Sequence, residues 1–527
     1  MPRPYKKDLD GGSMTLAGLS RIPLTPFEHF AQVLVDARRR DRAVLLALLC
    51  YVALWTAYAV LAKGSQDLHF DMGELIAWSR EPAFGYAKHP PFAAWLVKAW
   101  FSVFPLTDWA YYLLAVVNAT VGLWIAWIVS GRYLDGEKRA AGIALLTLVP
   151  FFNFHALKFN ANTVLIPLWA ATTWWFLRSF ETRSIAFAAL AGLGGGAAML
   201  GKYWSVTLFA GLALAALADP RRRSYFASAA PWVTVAVGAL VLAPHVAWLV
   251  AHDFAPFGYA AGHVASADFW SALVSTLGYV AGILGYIAAP IALAALTARP
   301  GVAGIFDTLW PATTDRRLAT VAFWAPLLLP ATVALAASLR IVSLWAMPAM
   351  TLLPVVLLSS PLLVISRVAL VRLLALAVAL PILATLAAPA VAIAILRLGE
   401  PDNGGTSRLL AGAIEQAWRA SSNRPLGLIG GEGDTVYRLI PYLSGQPSTV
   451  DVIRPDRLPW ADASRIAREG IALVCPASAV WCVQAIEARV AREPDARRTE
   501  VALVRHHFGI EGKSERYLIV TIPPQQP

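Results

Sequence analysis

Charge is scarce in this chain. Charged residues fill 15% of its 527 positions and hydrophobic residues 58%, where a soluble chain of similar length carries about 25% charge. The shortage excludes an ordinary soluble globular protein and implies a polytopic membrane protein. An apolar leader is also missing. Residues 1–24 are polar and contain glycine, so no cleavable signal peptide is expected. Acids are scarcer than bases, 33 against 44, giving a formal net charge of +11. That excess is not laid out as a nucleic-acid surface. Much of it sits in short clusters between hydrophobic runs, at Arg38-Arg39-Arg40, Lys138-Arg139, Arg221-Arg222-Arg223 and Arg316-Arg317, which is how orientation in a membrane is set. No nucleic-acid partner is expected. Of the three cysteines, Cys50 falls inside the first apolar run and reads as inert packing. Cys475 and Cys482 could pair in an oxidising compartment or remain free thiols.

A helix needs about 20 apolar residues to span a bilayer. Candidate spans cover about 43–62, 109–131, 141–157, 163–180, 184–200, 204–219, 229–250, 270–297, 318–338, 342–360 and 370–396, about eleven helices in all. The glycine run Gly192 to Gly196 lets helices approach closely. Ahead of the spans, Thr25-Pro26-Phe27-Glu28 reads as a capping box with proline at the first helical position. It opens a short helix, to about Arg40, lying on the cytoplasmic membrane surface. Alternation from a cytoplasmic N-terminus gathers the basic clusters on one side. The other side receives the 64–108 loop, Lys158 to Asn162, Lys202 to Trp204, His252 to Asp268, Arg340 and the C-terminus. His69, His89, His155, His245, His252 and His263 also fall on or near that outer side, as expected of a face that carries a polar cavity.

From about Arg397 the composition changes. Leu426 to Gly430, Thr449 to Ile453, Ile471 to Val474, Val501 to Arg505 and Tyr517 to Ile522 read as strands, with helices at about 433–444, 461–469 and 478–492. The expected fold is therefore mainly α. It comprises a cytoplasmic segment (1–42), a polytopic helical bundle in the bacterial cytoplasmic membrane (43–396), and a small periplasmic α/β domain (397–527).

The 64–108 loop concentrates polar residues beside hydrocarbon: Asp67, His69, Asp71, Glu74, Glu81, Lys88 and His89, with Trp78 and Tyr86 between them. Ionisable groups gather in such places for chemistry or for binding charge. Asp71, Glu74 and Trp78 share one face of a short helix near Phe70 to Arg80, which Pro82 ends. Gly85 to Pro91 follows as an extended turn. Phe92, Trp95, Leu96, Ala99, Trp100 and Val103 then form the stripe of an interfacial helix. A sugar transferred from a lipid-phosphate carrier suits this arrangement. The lipid tail stays in the bilayer. The leaving phosphate can be stabilised by Lys88, His89, Lys158, Lys202 or Arg340, and these five are expected to converge on one cavity. Asp71 can accept the acceptor's proton. It fits a helix cap equally well, with Glu74 paired to a base.

The string Asp71…Trp78-Ser79…Gly85-Tyr86-Ala87-Lys88-His89-Pro90-Pro91…Trp95 resembles the first outer loop of the polyprenyl-phosphate-sugar-dependent glycosyltransferases. These GT-C membrane enzymes are related to protein O-mannosyltransferases, the lipid A aminoarabinose transferase and the rhizobial galacturonosyltransferases. That family typically shows an Asp-Glu pair, then Tyr-Phe-x-His/Lys-Pro-Pro. Here Met72 replaces the Glu, Ala87 replaces the Phe, and Lys88 stands where an acid is common. The departures keep the catalytic Asp and tell against a metal site built from neighbouring acids, although a divalent cation remains compatible with the family. Lys158-Phe159-Asn160-Ala161-Asn162-Thr163 resembles a second outer motif that often ends in Asp, and Gly201-Lys202-Tyr203-Trp204 a Ser/Gly-Lys-Tyr turn. The resemblance covers about residues 43–260.

It implies a GT-C fold, Asp71 as general base with Glu74 beside it, and inversion at the sugar. Tyr86, Lys88, His89, Lys158, Asn160, Asn162, Lys202, Tyr203 and Arg340 become candidates for substrate binding. The donor would be a polyprenyl-phosphate sugar, and the acceptor a glycolipid, glycan or protein. Two other readings stand beside it, a polar-lipid transporter or flippase and a non-catalytic envelope-binding protein. Transporters place ionisable groups at mid-membrane on broken helices, often within repeats, and no repeat is visible here.

Overall fold

The computed structural model describes residues 25–265, 268–399, 404–452, 461–491 and 493–525. Six helices are long and apolar enough to cross a membrane: Arg40–Ala62, Asp108–Ser130, Ala230–Ala251, Phe269–Ala298, Thr314–Ala336 and Arg367–Leu398. Gly136–Thr147 and Pro150–Leu157 together pass the same test but bend by 73° at their junction, where Pro150 has no N–H to continue the ladder. Leu165–Thr182 and the shorter apolar segments Ile185–Gly201, Tyr203–Ala218 and Ser343–Leu358 complete the bundle. Each expected span thus falls on a helical segment, though several are short or broken. The chain is a multi-pass membrane protein. Glycine does what its run suggests: a Cβ at Gly192 would lie 2.4 Å from the Thr234 carbonyl oxygen, so Ile185–Gly201 packs backbone to backbone on Ala230–Ala251. Two local expectations fail. The first helix is Thr25–Val35, ending about five residues early. Cys50 is exposed on the outer surface of its helix rather than packed inside.

The bundle has two chemically different ends. At one, Arg132 bridges Glu181 and Asp315 at 3.3 and 2.8 Å, and Arg221 bridges Asp219 at 2.8 Å and Asp315 at 2.5 Å, tying helix termini together. The other end carries helices Phe70–Arg80 and Phe92–Phe101. Here too the expectation needs correcting. The residues of Phe92–Phe101 turned fully inward are Ala93, Ala94 and Val97, because small side chains allow close packing. The aromatic stripe lies half-buried beside them, and Val103 is exposed.

The C-terminal residues form a five-stranded sheet at that same end. Its strands are β1 (Leu428–Gly431), β2 (Ser448–Asp451), β3 (Ile471–Pro476), β4 (Arg497–His507) and β5 (Ile510–Ile522). The order is β2-β1-β3-β5-β4, parallel from β2 to β3 and antiparallel beyond. All five expected strands are present. The β4–β5 hairpin runs longer than expected because its outer half is exposed and lacks an apolar run. Alternation divides the sheet. Ile429, Val474 and Ile519 join the core shared with the helices. Leu473, Cys475 and Val520 pack with Cys482 and Ile486 of helix Val480–Val490, and Cys475 and Cys482 form a disulfide.

The sheet region is stitched to the outer loop. Asp67, fully buried, accepts a bond from the Ser407 N–H at 2.8 Å and pairs with Arg505 at 3.4 Å. Glu81 accepts from the Ser448 hydroxyl at 2.6 Å. Between these ties, helix Phe70–Arg80 lies on helix Gly433–Leu439 so closely that a Cβ at Gly73 would sit 2.0 Å from the Tyr437 carbonyl oxygen. The obstacle is backbone, so relief requires moving a helix. Gly73→Ala is therefore expected to destabilise the protein by about 1–3 kcal/mol or more, read as a lower melting temperature in detergent. An unchanged melting temperature would show the contact to be looser than described.

Candidate active site

Asp71 opens helix Phe70–Arg80, but it is not the cap. The Asp71 N–H donates to Nδ1 of His69, the N-cap residue, at 3.1 Å, and the aspartate side chain is left for other work. Its Oδ2 accepts the Asn160 amide at 2.9 Å and lies 3.7 Å from Lys158 Nζ and 3.9 Å from His69 Nδ1. All three contacts fall on one oxygen. Oδ1 takes no hydrogen bond among the described residues. Burial pushes this carboxyl up, but the Lys88, Lys158 and His69 charges and the Asn160 bond outweigh it and hold the group below the usual carboxylate range. Asp71 is thus an ionised acceptor at neutral pH.

One turn on, Glu74 is engaged by both oxygens with Lys88 Nζ, at 3.0 and 3.2 Å. Burial pushes the Glu74 carboxyl up to about 7, Lys88 opposing it. Burial pulls the Lys88 amine down, but Glu74 and Asp71 together raise it above its ordinary value, so the cation persists. Lys88 also lies 5.7 Å from the Phe70 ring and 5.8 Å from that of Tyr259. The elbow that presents it is braced by Tyr86, whose hydroxyl donates to the Trp78 carbonyl at 2.8 Å and whose ring stacks on Trp78 at 4.8 Å. Tyr86 is buried there and is not among the residues lining the three cavities around this helix.

Asp71, Lys88, His89, Lys202 and Tyr203 line a cavity of about 1090 Å³ with Tyr259, Trp345 and Asp434. Its lower wall is apolar. It includes Val206 and Val333, each more than half exposed. Lys202 interrupts two apolar helices in an extended conformation. Its Nζ donates to Asn162 Oδ1 at 2.6 Å and sits 4.9 Å from the Trp345 ring. Burial pulls this amine down to about 7. The Tyr203 hydroxyl lies 2.9 Å from His245 Nε2.

The five expected cations do not all converge. Lys158 lines a neighbouring cavity with Asn160 and Asn162 and reaches the first only through Asp71. Arg340 is exposed, while Leu339 and Ile341 line the large cavity. The backbone here is extended, with Leu339 bridged to Ala265, and alternation turns Arg340 away. Sequence reasoning passed over Tyr259, Trp345 and the sheet's contribution. Glu432, Asp434 and Asp451 line a chamber of about 120 Å³ beside Glu74 and Lys88. Among the described residues, no three His, Cys, Asp or Glu side chains are grouped to hold a metal ion. Of the expected outer histidines, His69, His89 and His155 line cavities, His245 supports Tyr203, and the side chain of His263 lies outside the described residues.

Residues 88–248 match the family model described as dolichyl-phosphate-mannose-protein mannosyltransferase. The chain is 31% identical over 277 residues to the lipopolysaccharide core galacturonosyltransferase RgtB of Rhizobium johnstonii, covering 50% of this chain and 53% of that one. It is 26% identical over 215 residues to the lipid A galacturonosyltransferase RgtD of the same organism, covering 40% and 44%. The chain thus spans about half the length of these curated relatives. Over nearly its whole length it has the GT-C fold of ArnT from Cupriavidus metallidurans. The TM-score is 0.57 at 15% identity to the apo structure, covering 92% of this chain and 99% of ArnT. It is 0.57 at 13% identity to the undecaprenyl-phosphate-bound structure, covering 90% and 97%.

Among the described residues, Lys88 is the cation bonded to Glu74. Removing one partner of a buried pair costs about 3–5 kcal/mol while the other stays charged. Glu74 escapes that cost by taking a proton. A carboxyl raised on folding contributes its full stability below its unfolded value and loses it as pH rises through the folded one. Lys88→Met should therefore melt near wild type at about pH 5 and fall progressively behind toward pH 8. Parallel melting curves would mean that Glu74 has another partner.

Proposed function

We propose that this protein is a membrane glycosyltransferase that moves a sugar from a polyprenyl-phosphate carrier to a hydroxyl acceptor, with inversion. The observation that carries the reading is the Asp71 carboxylate. Its Oδ2 is fixed by Asn160 and Lys158, its Oδ1 takes no hydrogen bond among the described residues, and it lines a cavity that also holds Lys88, His89 and Lys202. In the reaction, the acceptor oxygen forms a bond to the anomeric carbon as the bond from that carbon to the phosphate oxygen breaks. The acceptor proton passes to Asp71. Polyprenyl phosphate leaves with the electron pair, and Lys202, His89 and Lys88 stabilise its charge. The lipid tail suits the apolar wall that Val206 and Val333 contribute. The acid-lined chamber offers hydrogen-bond acceptors to sugar hydroxyls.

The ArnT structure bound to undecaprenyl phosphate and the galacturonosyltransferase relatives support a lipid-linked donor and an envelope glycolipid acceptor. We assign the cytoplasmic membrane, with the loop and sheet periplasmic. The basic clusters gather at the opposite end, and the Cys475–Cys482 disulfide suits an oxidising compartment.

Two outcomes test the site. Asp71→Asn keeps the shape and removes the base. Turnover in membranes supplied with polyprenyl-phosphate sugars should fall by roughly two to four orders of magnitude, with polyprenyl phosphate binding retained. Near-normal turnover would move the base elsewhere, and lost binding would make the carboxylate structural. The second outcome concerns pH. An anion raises the proton affinity of Lys202, so donor binding takes up a proton. Affinity should be highest below about 7 and weaken by up to about tenfold per pH unit above it. Lys202→Arg, charged throughout, should flatten that limb. A limb unchanged in the arginine variant would assign the titration to another group.

A further inference from the structure

The three parallel strands of the sheet end at one place. β1 runs into Glu432, β2 ends on Asp451, and β3 ends shortly before helix Val480–Val490. Gly431 at the end of β1 stands in register with Asp451 and with Val474, so the three carboxyl ends are adjacent. Open α/β sheets bind their ligands at such ends. Glu432, Asp451 and Trp481 line the chamber of about 120 Å³ beside Glu74 and Lys88. Lys88, Tyr259 and Asp434 line both this chamber and the large cavity, so the two adjoin. Trp481 differs from the other chamber residues. It is 51% exposed, and among the described residues its ring packs on no other aromatic ring and its N–H donates no hydrogen bond. Trp78, on the same chamber, is buried and stacked on Tyr86. The turn that presents Trp481 is cross-linked, because Cys475 near the end of β3 is bonded to Cys482 in the first turn of the helix. Cys482 is held in the core, and Trp481, about 100° round the helix from it, faces out.

We infer that Trp481 is a sugar-recognition residue: its indole face packs against the ring of the donor sugar, and the Cys475–Cys482 bond fixes the turn that presents it. The inference deepens the transferase reading and rests on it. With the carrier phosphate held at Lys88, the sugar begins one bond beyond the phosphate, and Lys88 is also a wall of the chamber. A sugar ring has an apolar C–H face and an edge of hydroxyl donors. An open aromatic face with carboxylates around it suits both. A bilayer is a poorer match for this tryptophan, because its chamber neighbours include Glu432, Asp434 and Asp451 rather than the apolar or basic residues that lipid favours. The disulfide is then a positioning element. It holds the start of the helix against the strand, so the indole keeps one direction. The division of labour follows from this placement. The base belongs to the membrane loop, and the residue that feels the sugar belongs to the sheet.

The test measures binding to the full-length protein in detergent. The probes are polyprenyl phosphate esterified with glucose, the same lipid esterified with galacturonic acid, and polyprenyl methyl phosphate, which has the diester but no ring. At least one sugar diester should bind the wild-type protein about fivefold more tightly than the methyl diester. Trp481→Leu, which keeps bulk and loses the aromatic face, should abolish that preference and leave methyl diester binding unchanged. Trp481→Phe should keep most of it, and serves as the second variant if the leucine protein folds poorly. Removing both cysteines together (Cys475→Ala with Cys482→Ala) should reduce the preference about twofold, again with the methyl diester unaffected. A preference retained in Trp481→Leu overturns the inference alone. So does an equal loss of sugar and methyl diesters, which would make Trp481 a lipid contact or a structural residue, and so does a wild-type protein that binds all three diesters equally. Failure of the wild-type protein to bind either polyprenyl phosphate or any of the diesters overturns instead the donor reading beneath it.

Discussion

The Lys88–Glu74 pair is the interaction on which the rest of the outer end depends. Two opposite charges taken out of water are tolerable only in contact, and this contact joins two pieces of one loop. Glu74 belongs to a helix and Lys88 to the turn after it, bonded at 3.0 and 3.2 Å. The bond sets where His89 stands and holds a positive charge close enough to keep Asp71 ionised. Tyr86, stacked on Trp78, brings apolar rigidity to the same turn. A base, a cation and a proline-stiffened elbow are thereby placed as one unit above the hydrocarbon.

The unit is closed from above by the sheet. Helix Gly433–Leu439 covers the helix that carries Asp71 and Glu74, with no room between them at Gly73, and Asp434 reaches the rim of the large cavity. Three chambers of different character surround the same short helix. Asp71 lines the largest, Met72 the basic one and Glu74 the acidic one. Successive positions of one helical turn point in different directions, which is how so short an element serves three environments.

Much of this was legible in the sequence. The hydropathy runs located the membrane helices, and short apolar stretches after Arg397 located the five strands. The crowding of ionisable residues between Gln66 and Pro91 located the site. Helix Ser407–Ser421 was legible too, with Leu410, Ala411, Ile414 and Trp418 buried at helical spacing, yet it went unread. Other features depended on contacts that no local pattern encodes. Tyr259, Trp345 and Asp434 enter the cavity from distant segments. Arg340 was chosen for its charge, and the alternation of an extended backbone turned it outward. Tyr86 sits in a motif of exposed character but is buried by its stacking on Trp78. His69, rather than Asp71, caps the helix because its ring nitrogen can reach the free N–H.

Asp67 carries a consequence for how the molecule comes into being. Its carboxylate is satisfied by Ser407, 340 positions later, and Arg505, 438 positions later. The ribosome emits the loop first and its partners several hundred residues later. Throughout synthesis the segment that holds Asp71 lacks the sheet that fixes it, and the assembly that reads as catalytic is finished only when the final strands arrive. A polypeptide cut short before Ser407 would hold the reactive residues without the two partners that satisfy Asp67.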